Sequence, residues 1–83
     1  MYSVYILQSE TNGSYYVGQT ADVEGRLKRH NAGTERSTRG KGPWKLVYVE
    51  QYATRGEAMA REAEIKARKK RTYIEKLIVN FGA

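Results

Sequence analysis

The sequence contains no cysteine and no long run of apolar residues. Without cysteine the chain forms neither disulfides nor thiolate metal sites, and this composition fits a reducing compartment. No apolar stretch approaches the roughly 20 residues that a membrane-spanning helix needs. Residues 1–7 are apolar, but they are too few and too soon followed by polar residues to be a secretory signal. We therefore expect a cytoplasmic protein that does not enter a membrane.

Acidic residues are also scarce. Nine aspartates and glutamates stand against 15 lysines and arginines, which gives a net charge of +6 at pH 7. This balance favours an anionic partner, nucleic acid more than a membrane surface, although a basic surface without such a partner is also common. Residues 1–21 carry a single charge, on Glu10. The cations follow in two groups: Arg26, Lys28, Arg29, Arg36, Arg39, Lys41 and Lys45, and then the run 68–71. Such runs usually form solvated faces and indicate only generic phosphate contacts.

The chain of 83 residues suffices for one small domain, and neither a repeat nor a low-complexity segment divides it. Three segments have the β-branched and aromatic residues of strands: 2–8, 14–20 and 45–52. Three others have the spacing of helices: 22–32, 54–70 and 72–81. Thr54 and Thr72, each followed three residues later by glutamate, predict capping boxes for the last two helices. We expect a single domain over 1–83 of the α/β (α+β) class, in the order β-β-α-β-α-α.

Gly18 interrupts the second predicted strand, where glycine is unfavourable because it has no side chain to pack. Such a glycine often marks a close approach to the backbone, which we interpret as that of a nucleic-acid phosphate or of a neighbouring helix. A hairpin turn around Asn12 and Gly13 would place Tyr5 roughly opposite Gly18 and Tyr16 diagonally from Tyr5, on one face. Two phenols beside this gap form a candidate polar site. Both also fit ordinary sheet tyrosines, the commoner case in a chain with seven tyrosines.

Arg26 and His30 lie four residues apart in the first predicted helix and therefore share a helix face. The planar guanidinium of Arg26 matches the oxygens of a phosphate, although a solvated surface arginine has the same signature. His30 is the only histidine of the chain. A single helical histidine is more often structural than catalytic, but beside an arginine in a basic protein it becomes a candidate for proton transfer or phosphate contact.

Glu62 lies on the apolar side of its predicted helix, with Ala58, Met59 and Ile65 as neighbours at helical spacing. Carboxylates are rarely buried unless they are paired or coordinate an ion. Two interpretations have equal weight. Glu62 anchors a hard cation, Mg²⁺ or Mn²⁺, that also binds substrate phosphate, or it has a structural role, in a buried ion pair with a lysine or arginine or at the rim of the apolar side.

Taken together, these residues resemble the GIY-YIG nuclease superfamily. Its first half-motif corresponds to residues 3–5, Ser-Val-Tyr, and its second to residues 16–18, Tyr-Val-Gly. The similarity continues through Arg26 and His30 to residues 61–66 and so covers nearly the whole chain. It is greatest to the small stand-alone branch that is related to the N-terminal nuclease domain of the DNA-repair excinuclease.

The resemblance implies a three-stranded mixed or antiparallel sheet flanked by helices, and hydrolysis of DNA phosphodiester bonds with one divalent metal ion. Tyr5 and Tyr16 would line the site, and Tyr5 would help to deprotonate or orient the attacking water. Arg26 would stabilise charge on the phosphate, His30 would orient or relay a proton, and Glu62 would hold Mg²⁺ or Mn²⁺. Contacts with nucleic acid are expected from the remaining basic residues of interest: Arg29, Arg36, Arg39, Lys41 and Lys66.

The chain also departs from the family pattern. Ser3 replaces the first glycine, and the asparagine that many members carry near the C-terminus has only Asn80 as a counterpart, at an unmatched spacing. Larger relatives add a separate DNA-binding domain that these residues do not include. We therefore expect one of three outcomes: weak DNA binding, action only on branched or damaged DNA, or a protein partner that supplies substrate specificity. We expect an endonuclease, structure-specific and linked to DNA repair or recombination. The alternatives are a non-catalytic nucleic-acid-binding module on the same fold and an adaptor that docks a repair or recombination protein through its sheet.

Overall fold

The computed structural model describes residues 1–68 and 70–81. Its elements are β1 (Tyr2–Ser9), β2 (Tyr15–Thr20), α1 (Val23–Asn31), β3 (Trp44–Tyr52), α2 (Arg55–Arg68) and α3 (Arg71–Phe81). The predicted fold class and element order are therefore confirmed. Lys69 of the cationic run, and positions 82 and 83, lie outside the described residues. No helix within the described ranges is both long enough and apolar enough to cross a membrane.

The sheet is antiparallel throughout, with the strand order β2-β1-β3. Of the two sheet types left open above, the protein has the antiparallel one and not the mixed one. The reason is the path of the chain: α1 and the following loop return it to the end of β1, so that Trp44 of β3 pairs with Ser9. In the β1–β2 hairpin Tyr5 pairs with Gly18, as expected, although residues 10–13 form a four-residue loop instead of a two-residue turn at Asn12 and Gly13.

Each face of the sheet carries its own core, because successive side chains of β1 point to opposite faces. On one face Val4 and Ile6 pack with buried residues of α2 and partly buried residues of α3. On the other face Tyr5 and Leu7 pack with Trp44 and with Leu27 of α1. The candidate tyrosine site therefore lies on the α1 face, and α2 lies across the sheet from it.

The two predicted capping boxes have different outcomes. Before α2, the Glu57 backbone N–H donates to Thr54 Oγ1 at 3.2 Å and the Thr54 N–H donates to Glu57 Oε1 at 3.2 Å, as predicted. The second box is wrong, because α3 begins at Arg71, one residue before Thr72. Glu75 instead accepts a hydrogen bond of 3.1 Å from Arg71, one turn earlier on the same helix.

Candidate active site

A buried chain of hydrogen bonds joins β1, α1 and the loop after α1. The Tyr5 hydroxyl lies 3.0 Å from His30 Nε2, and His30 Nδ1 lies 2.7 Å from Thr38 Oγ1. All three side chains are buried, and Tyr5 exposes 1% of its surface. The Trp44 indole N–H donates to the Thr38 carbonyl at 3.2 Å and so holds the loop against the core.

The proton positions in this chain can be assigned from its hydrogen-bond network. The Thr38 hydroxyl donates to the Glu35 carbonyl at 3.4 Å, so it accepts the proton carried by His30 Nδ1. Nε2 of a neutral imidazole is then an acceptor, and the Tyr5 hydroxyl donates to it. The Tyr5 oxygen therefore keeps lone-pair capacity for another donor while its own proton is directed at His30.

Burial is the main influence on both titratable groups of this pair. It raises the pKa of the Tyr5 phenol; the nearby Tyr16 adds to the shift, and the charge of Arg26 opposes it. Burial lowers the pKa of His30 below its ordinary value of 6.5, Glu35 opposes that shift, and Arg26 reinforces it. Both groups are therefore neutral at pH 7, which agrees with the assigned proton positions.

Gly18 makes room for the Tyr5 ring. A β-carbon at position 18 would lie 2.6 Å from the Tyr5 hydroxyl oxygen and 3.1 Å from Tyr16 Cε2. The space is thus taken by the Tyr5 ring rather than by a phosphate, because the antiparallel register places Tyr5 directly opposite. Tyr16, which is half-buried, has its ring centroid 6.3 Å from that of Tyr5 and 4.9 Å from that of His30.

Arg26 reaches this group from the beginning of α1. Asp22 caps that helix by accepting a hydrogen bond of 3.1 Å from the Gly25 N–H, and a β-carbon at Gly25 would collide with the Asp22 carboxylate. The cap therefore explains a glycine that the helix itself disfavours. Arg26 influences the Tyr5 hydroxyl and lines an open cavity of about 220 Å³ at the end of the sheet. The cavity is also lined by Tyr2, Gln19, Thr20, Ala21, Asp22 and Arg55.

Glu62 lies apart from the other predicted catalytic residues. It belongs to α2, across the sheet from Tyr5, and its Oε2 is 3.1 Å from Lys66 Nζ. Its side chain is 22% exposed, at the edge of the buried stripe, and Met59, expected beside it in the core, is 50% exposed. Within residues 1–68 and 70–81, no hydrogen bond or ion pair joins Glu62 to the rest of the site. The structure brings together Tyr5, Tyr16, Arg26 and His30.

A metal ion at Glu62 would have one protein carboxylate as a ligand. In the described part of the chain, no group of three or more His, Asp or Glu side chains is placed to hold an ion. A single carboxylate nevertheless fits Mg²⁺, which keeps several waters and takes further ligands from substrate phosphates. The Lys66 side chain is 53% exposed, and an exposed pair at this helical spacing contributes only about 0.3–0.5 kcal/mol. The residues present therefore fit an ion held largely by water and substrate.

The predicted nucleic-acid contacts differ in how their charges are partnered. Arg29 Nη2 lies 3.0 Å from Glu35 Oε1, and Lys66 is paired with Glu62, so part of their charge is neutralised. The other three lie exposed on the loop between α1 and β3: Arg36, Arg39 and Lys41. This loop also carries Thr38, so the exposed cations and the partner of His30 belong to one segment.

Two residues of the site are missing from the sequence-based predictions. Thr38 holds His30, and Glu35 influences the pKa of both Tyr5 and His30. Both belong to an irregular loop, where no helical or strand periodicity links them to the imidazole, so no sequence signal indicates their roles. Asn80 is exposed on α3.

Comparison with known proteins finds relatives along most of the chain. The family model described as GIY-YIG catalytic domain matches residues 1–75. A UPF0213 protein of Streptococcus pneumoniae is 42% identical over 76 residues, which are 90% of this chain and 75% of that protein. The UPF0213 protein VNG_2274C of Halobacterium salinarum is 42% identical over 67 residues, 80% of this chain and 86% of that one.

A solved structure resembles the protein as well. It is the solution NMR structure of the UPF0213 protein BH0048 from Bacillus halodurans, with a TM-score of 0.62 and 39% sequence identity. The match covers 100% of this chain and 88% of that one. The same arrangement of strands and helices therefore extends to a relative of similar length.

Proposed function

Because this chain belongs to the family of GIY-YIG catalytic domains, we propose that it is an endonuclease that hydrolyses DNA phosphodiester bonds with a divalent metal ion. The observation that carries the proposal is the buried hydrogen bond of 3.0 Å between the Tyr5 hydroxyl and His30 Nε2. Two neutral proton carriers in contact, with the Arg26 guanidinium beside them, supply what is needed to move a proton from water and to stabilise a charged phosphate.

Tyr5 does not act as a standing phenolate in this proposal, because burial raises its pKa. A relay replaces the phenolate. As the attacking water gives a proton to the Tyr5 oxygen, Tyr5 gives its own proton to His30 Nε2. The water O–H bond breaks, the Tyr5 hydroxyl is restored, and His30 becomes an imidazolium that Thr38 keeps in place. The lowered pKa of His30 then favours release of the proton before the next cycle.

Arg26 and Glu62 complete the proposed site. Arg26 would face the charge that develops on the phosphate, and the attacking water would reach the Tyr5 hydroxyl from the Arg26 side. Glu62 would hold Mg²⁺ or Mn²⁺, whose chemistry at a phosphodiester is to neutralise charge on the phosphate oxygens. Because α2 lies across the sheet from Tyr5, the scissile group would lie at the end of the sheet, between Arg26 and Glu62 and beside the cavity that residues of α1 and α2 line.

The proposal extends to substrate and setting. Flap or junction DNA and a role in repair or recombination are suggested by the likeness to the excinuclease domain. A protein partner would then select the substrate, since the exposed cations of the loop offer phosphate contacts but no groups arranged to read bases.

A non-catalytic nucleic-acid-binding module is the second candidate. Two observations favour it: Tyr5 exposes 1% of its surface, and Glu62 is paired with Lys66 on the helix across the sheet. Such a module would bind DNA in a salt-dependent manner and leave it intact.

The decisive experiment is a cleavage assay on labelled duplex, flap and junction DNA, with Mg²⁺, with Mn²⁺ and with EDTA. It compares the wild type with Glu62→Gln, Tyr5→Phe and the control Glu75→Gln, which alters an exposed, ion-paired carboxylate on α3. We expect metal-dependent products from the wild type and the control. Tyr5→Phe should lower the rate by about 10²- to 10⁴-fold, the range of general acid–base catalysis, and Glu62→Gln should abolish cleavage.

DNA binding, followed by fluorescence anisotropy in EDTA, separates the two candidates. Intact binding without wild-type products on any substrate would replace the nuclease with the binding module. Equal products from all four proteins would exclude Tyr5 and Glu62 as the catalytic groups.

A further inference from the structure

The cavity at the end of the sheet brings together arginines from two helices. Arg26 comes from α1 and Arg55 is the first residue of α2, and both line the same space of about 220 Å³. Among the ion pairs of the described residues, none includes either guanidinium. Two guanidinium groups thus face one space without a carboxylate partner.

The other lining groups leave this charge available. Asp22 has its Oδ1 occupied by the Gly25 N–H at 3.1 Å, and the Thr20 hydroxyl accepts from the Asp22 N–H at 3.0 Å. Gln19 adds an amide that can donate. Two arginines and one aspartate leave one positive charge, which a singly charged phosphodiester would neutralise. The planar fork of arginine also fits phosphate oxygens in a bidentate manner.

Helix α2 connects this cavity with Glu62. Arg55 and Glu62 are seven residues apart, so they lie on nearly the same side of the helix and about 10 Å apart along its axis. Lys66 continues the line one turn later, where it pairs with Glu62. A strand of DNA with its scissile group near Arg26 and Glu62 would therefore bring another of its phosphates to Arg55.

We propose that the cavity is a subsite for a DNA phosphate that flanks the scissile one, with Arg55 as its binding residue. The proposal rests on the proposed function, since it takes DNA as the ligand. Arg55 positions the strand and does not contact the reacting atoms. Its removal should weaken DNA binding through one particular phosphate, whichever bond is cleaved.

The test measures binding in EDTA, where no metal-dependent cleavage occurs. Fluorescence anisotropy compares the wild type with Arg55→Ala, Arg55→Lys and the control Arg68→Ala. Arg68 is exposed at the other end of α2, where its guanidinium lies 4.8 Å from the centroid of the Tyr73 ring. The control removes the same charge from the same helix. The DNA is a set of oligonucleotides in which one phosphate at a time is replaced by a neutral methylphosphonate.

We expect Arg55→Ala to weaken binding by about 10- to 150-fold, as for the loss of one charge-assisted hydrogen bond. The slope of log K against log salt should fall by about 0.9, or one phosphate contact. Neutralising one particular phosphate should weaken the wild type by the same factor and leave Arg55→Ala unaffected. Arg55→Lys should restore part of the affinity, and Arg68→Ala should respond to every methylphosphonate as the wild type does.

The subsite is refuted if Arg55→Ala responds to every methylphosphonate as the wild type does, or if Arg68→Ala lowers the affinity and the salt slope as much as Arg55→Ala does. Failure of the nuclease is a separate result. Coupling between Arg55 and one phosphate, without cleavage of any substrate, would support the subsite and overturn the proposed nuclease activity. Cleavage without that coupling would support the nuclease activity and overturn the subsite.

Discussion

At the scale of single residues, Gly18 determines where the Tyr5 ring lies. The ring crosses the neighbouring strand at the one position without a side chain, and this places its hydroxyl against His30. Gly25 has a comparable role at the start of α1, where it leaves space for the capping carboxylate of Asp22. In both cases the glycine serves a side chain of another residue.

Substituting Gly18→Ala should therefore destabilise the protein. The added β-carbon would lie 2.7 Å from Tyr5 Cζ, so the ring or the strand must move. Overpacking of this kind typically costs about 1–3 kcal/mol. Urea denaturation followed by circular dichroism measures the loss of stability. The imidazole NMR signals of His30 should also shift, because the hydrogen bond between Tyr5 and His30 is disturbed.

Gly56→Ala is the matched control. Nothing lies within 4 Å of a β-carbon built at Gly56, which is the second residue of α2. Alanine favours the helix there, so we expect unchanged or slightly higher stability, by up to about 1 kcal/mol. Equal losses for both variants would contradict the steric explanation of Gly18.

Much of this local geometry could be predicted. The hairpin loop of residues 10–13 determines the pairing of Tyr5 with Gly18, and this pairing brings Tyr16 to the same face. That the Tyr5 ring fills the space beside Gly18 could not be predicted. Sequence spacing indicates which backbone positions lie opposite one another, but it does not indicate the direction in which a side chain points. The role of Thr38 could not be predicted for a similar reason, since its contact with His30 depends on the path of an irregular loop.

At the scale of secondary-structure elements, an ion pair ties α2 to the edge strand β3. Arg61 donates to both carboxylate oxygens of Glu50, at 2.9 and 3.0 Å, and the side chains are 18% and 19% exposed. Tyr48 and Tyr52 donate to the same carboxylate. Burial acts to raise the pKa of Glu50, but these hydrogen bonds outweigh it and hold the pKa at about 2, below the ordinary 4.5.

The protein should lose stability in acid through Glu50. Because the folded-state pKa lies below the unfolded one, the contribution is fully present above pH 4.5 and disappears as the pH falls toward 2. The shift corresponds to about 2–3 kcal/mol after allowance for partial exposure. Thermal unfolding between pH 7 and pH 2.5 measures the effect, and Glu50→Gln should reduce the slope in this window while lowering stability at pH 7.

Glu75→Gln serves as the control at this scale, because Glu75 belongs to an exposed ion pair with Arg71 on a single helix. It should leave the acid slope nearly unchanged. If Glu75→Gln removed as much of the slope as Glu50→Gln, the buried pair would not be the source of the acid sensitivity.

The order and type of the elements could be predicted, whereas the side-chain contacts that hold them together could not. Strand alternation and the first capping box indicated β1, β2, β3 and α2, each to within one or two residues. The second box failed because Arg71 begins the helix and takes Glu75 for itself. The pair of Glu50 with Arg61 joins residues 11 apart on different elements, and no periodicity links such positions.

At the scale of the whole molecule, the positive charge lies in the part of the chain that follows a nearly neutral hairpin. Residues 1–21 carry only Glu10, and the net charge of +6 comes from the later part of the chain. The exposed loop between α1 and β3 contributes Arg36 and Arg39, near the candidate active site through Thr38. This arrangement places the loop where it can contact the DNA backbone next to the site.

Removing two loop charges with Arg36→Ala and Arg39→Ala should therefore reduce the salt dependence of DNA binding. If each arginine contacts one phosphate, the slope of log K against log salt falls by about 1.8. The control is Lys70→Ala with Lys76→Ala, which removes the same charge from exposed positions before and within α3. Equal changes in the two double variants would mean that net charge, and not the loop, governs binding.

The molecular scale is also where sequence analysis was least informative about the site. Helical spacing put Glu62 on an apolar stripe, and the structure puts it at the stripe's edge. Both faces of the sheet carry apolar side chains that must be buried, Val4 and Ile6 on one face and Tyr5 on the other. Which face a given helix covers therefore depends on how all the helices pack on the two faces. The packing of the entire chain decides which face each helix covers, and a local sequence motif does not encode this placement.

The hydrogen bond between His30 and Thr38 ties the state of the imidazole to the position of the loop. Thr38 sits between Arg36 and Arg39, and its hydroxyl accepts the Nδ1 proton of His30. A shift of the loop would remove that acceptor and free the ring to exchange tautomers or to rotate. A ligand that binds the loop would thus change the tautomer and protonation state of His30 without contacting it. The imidazole ¹⁵N chemical shifts of His30 would report how strongly the ligand displaces the loop.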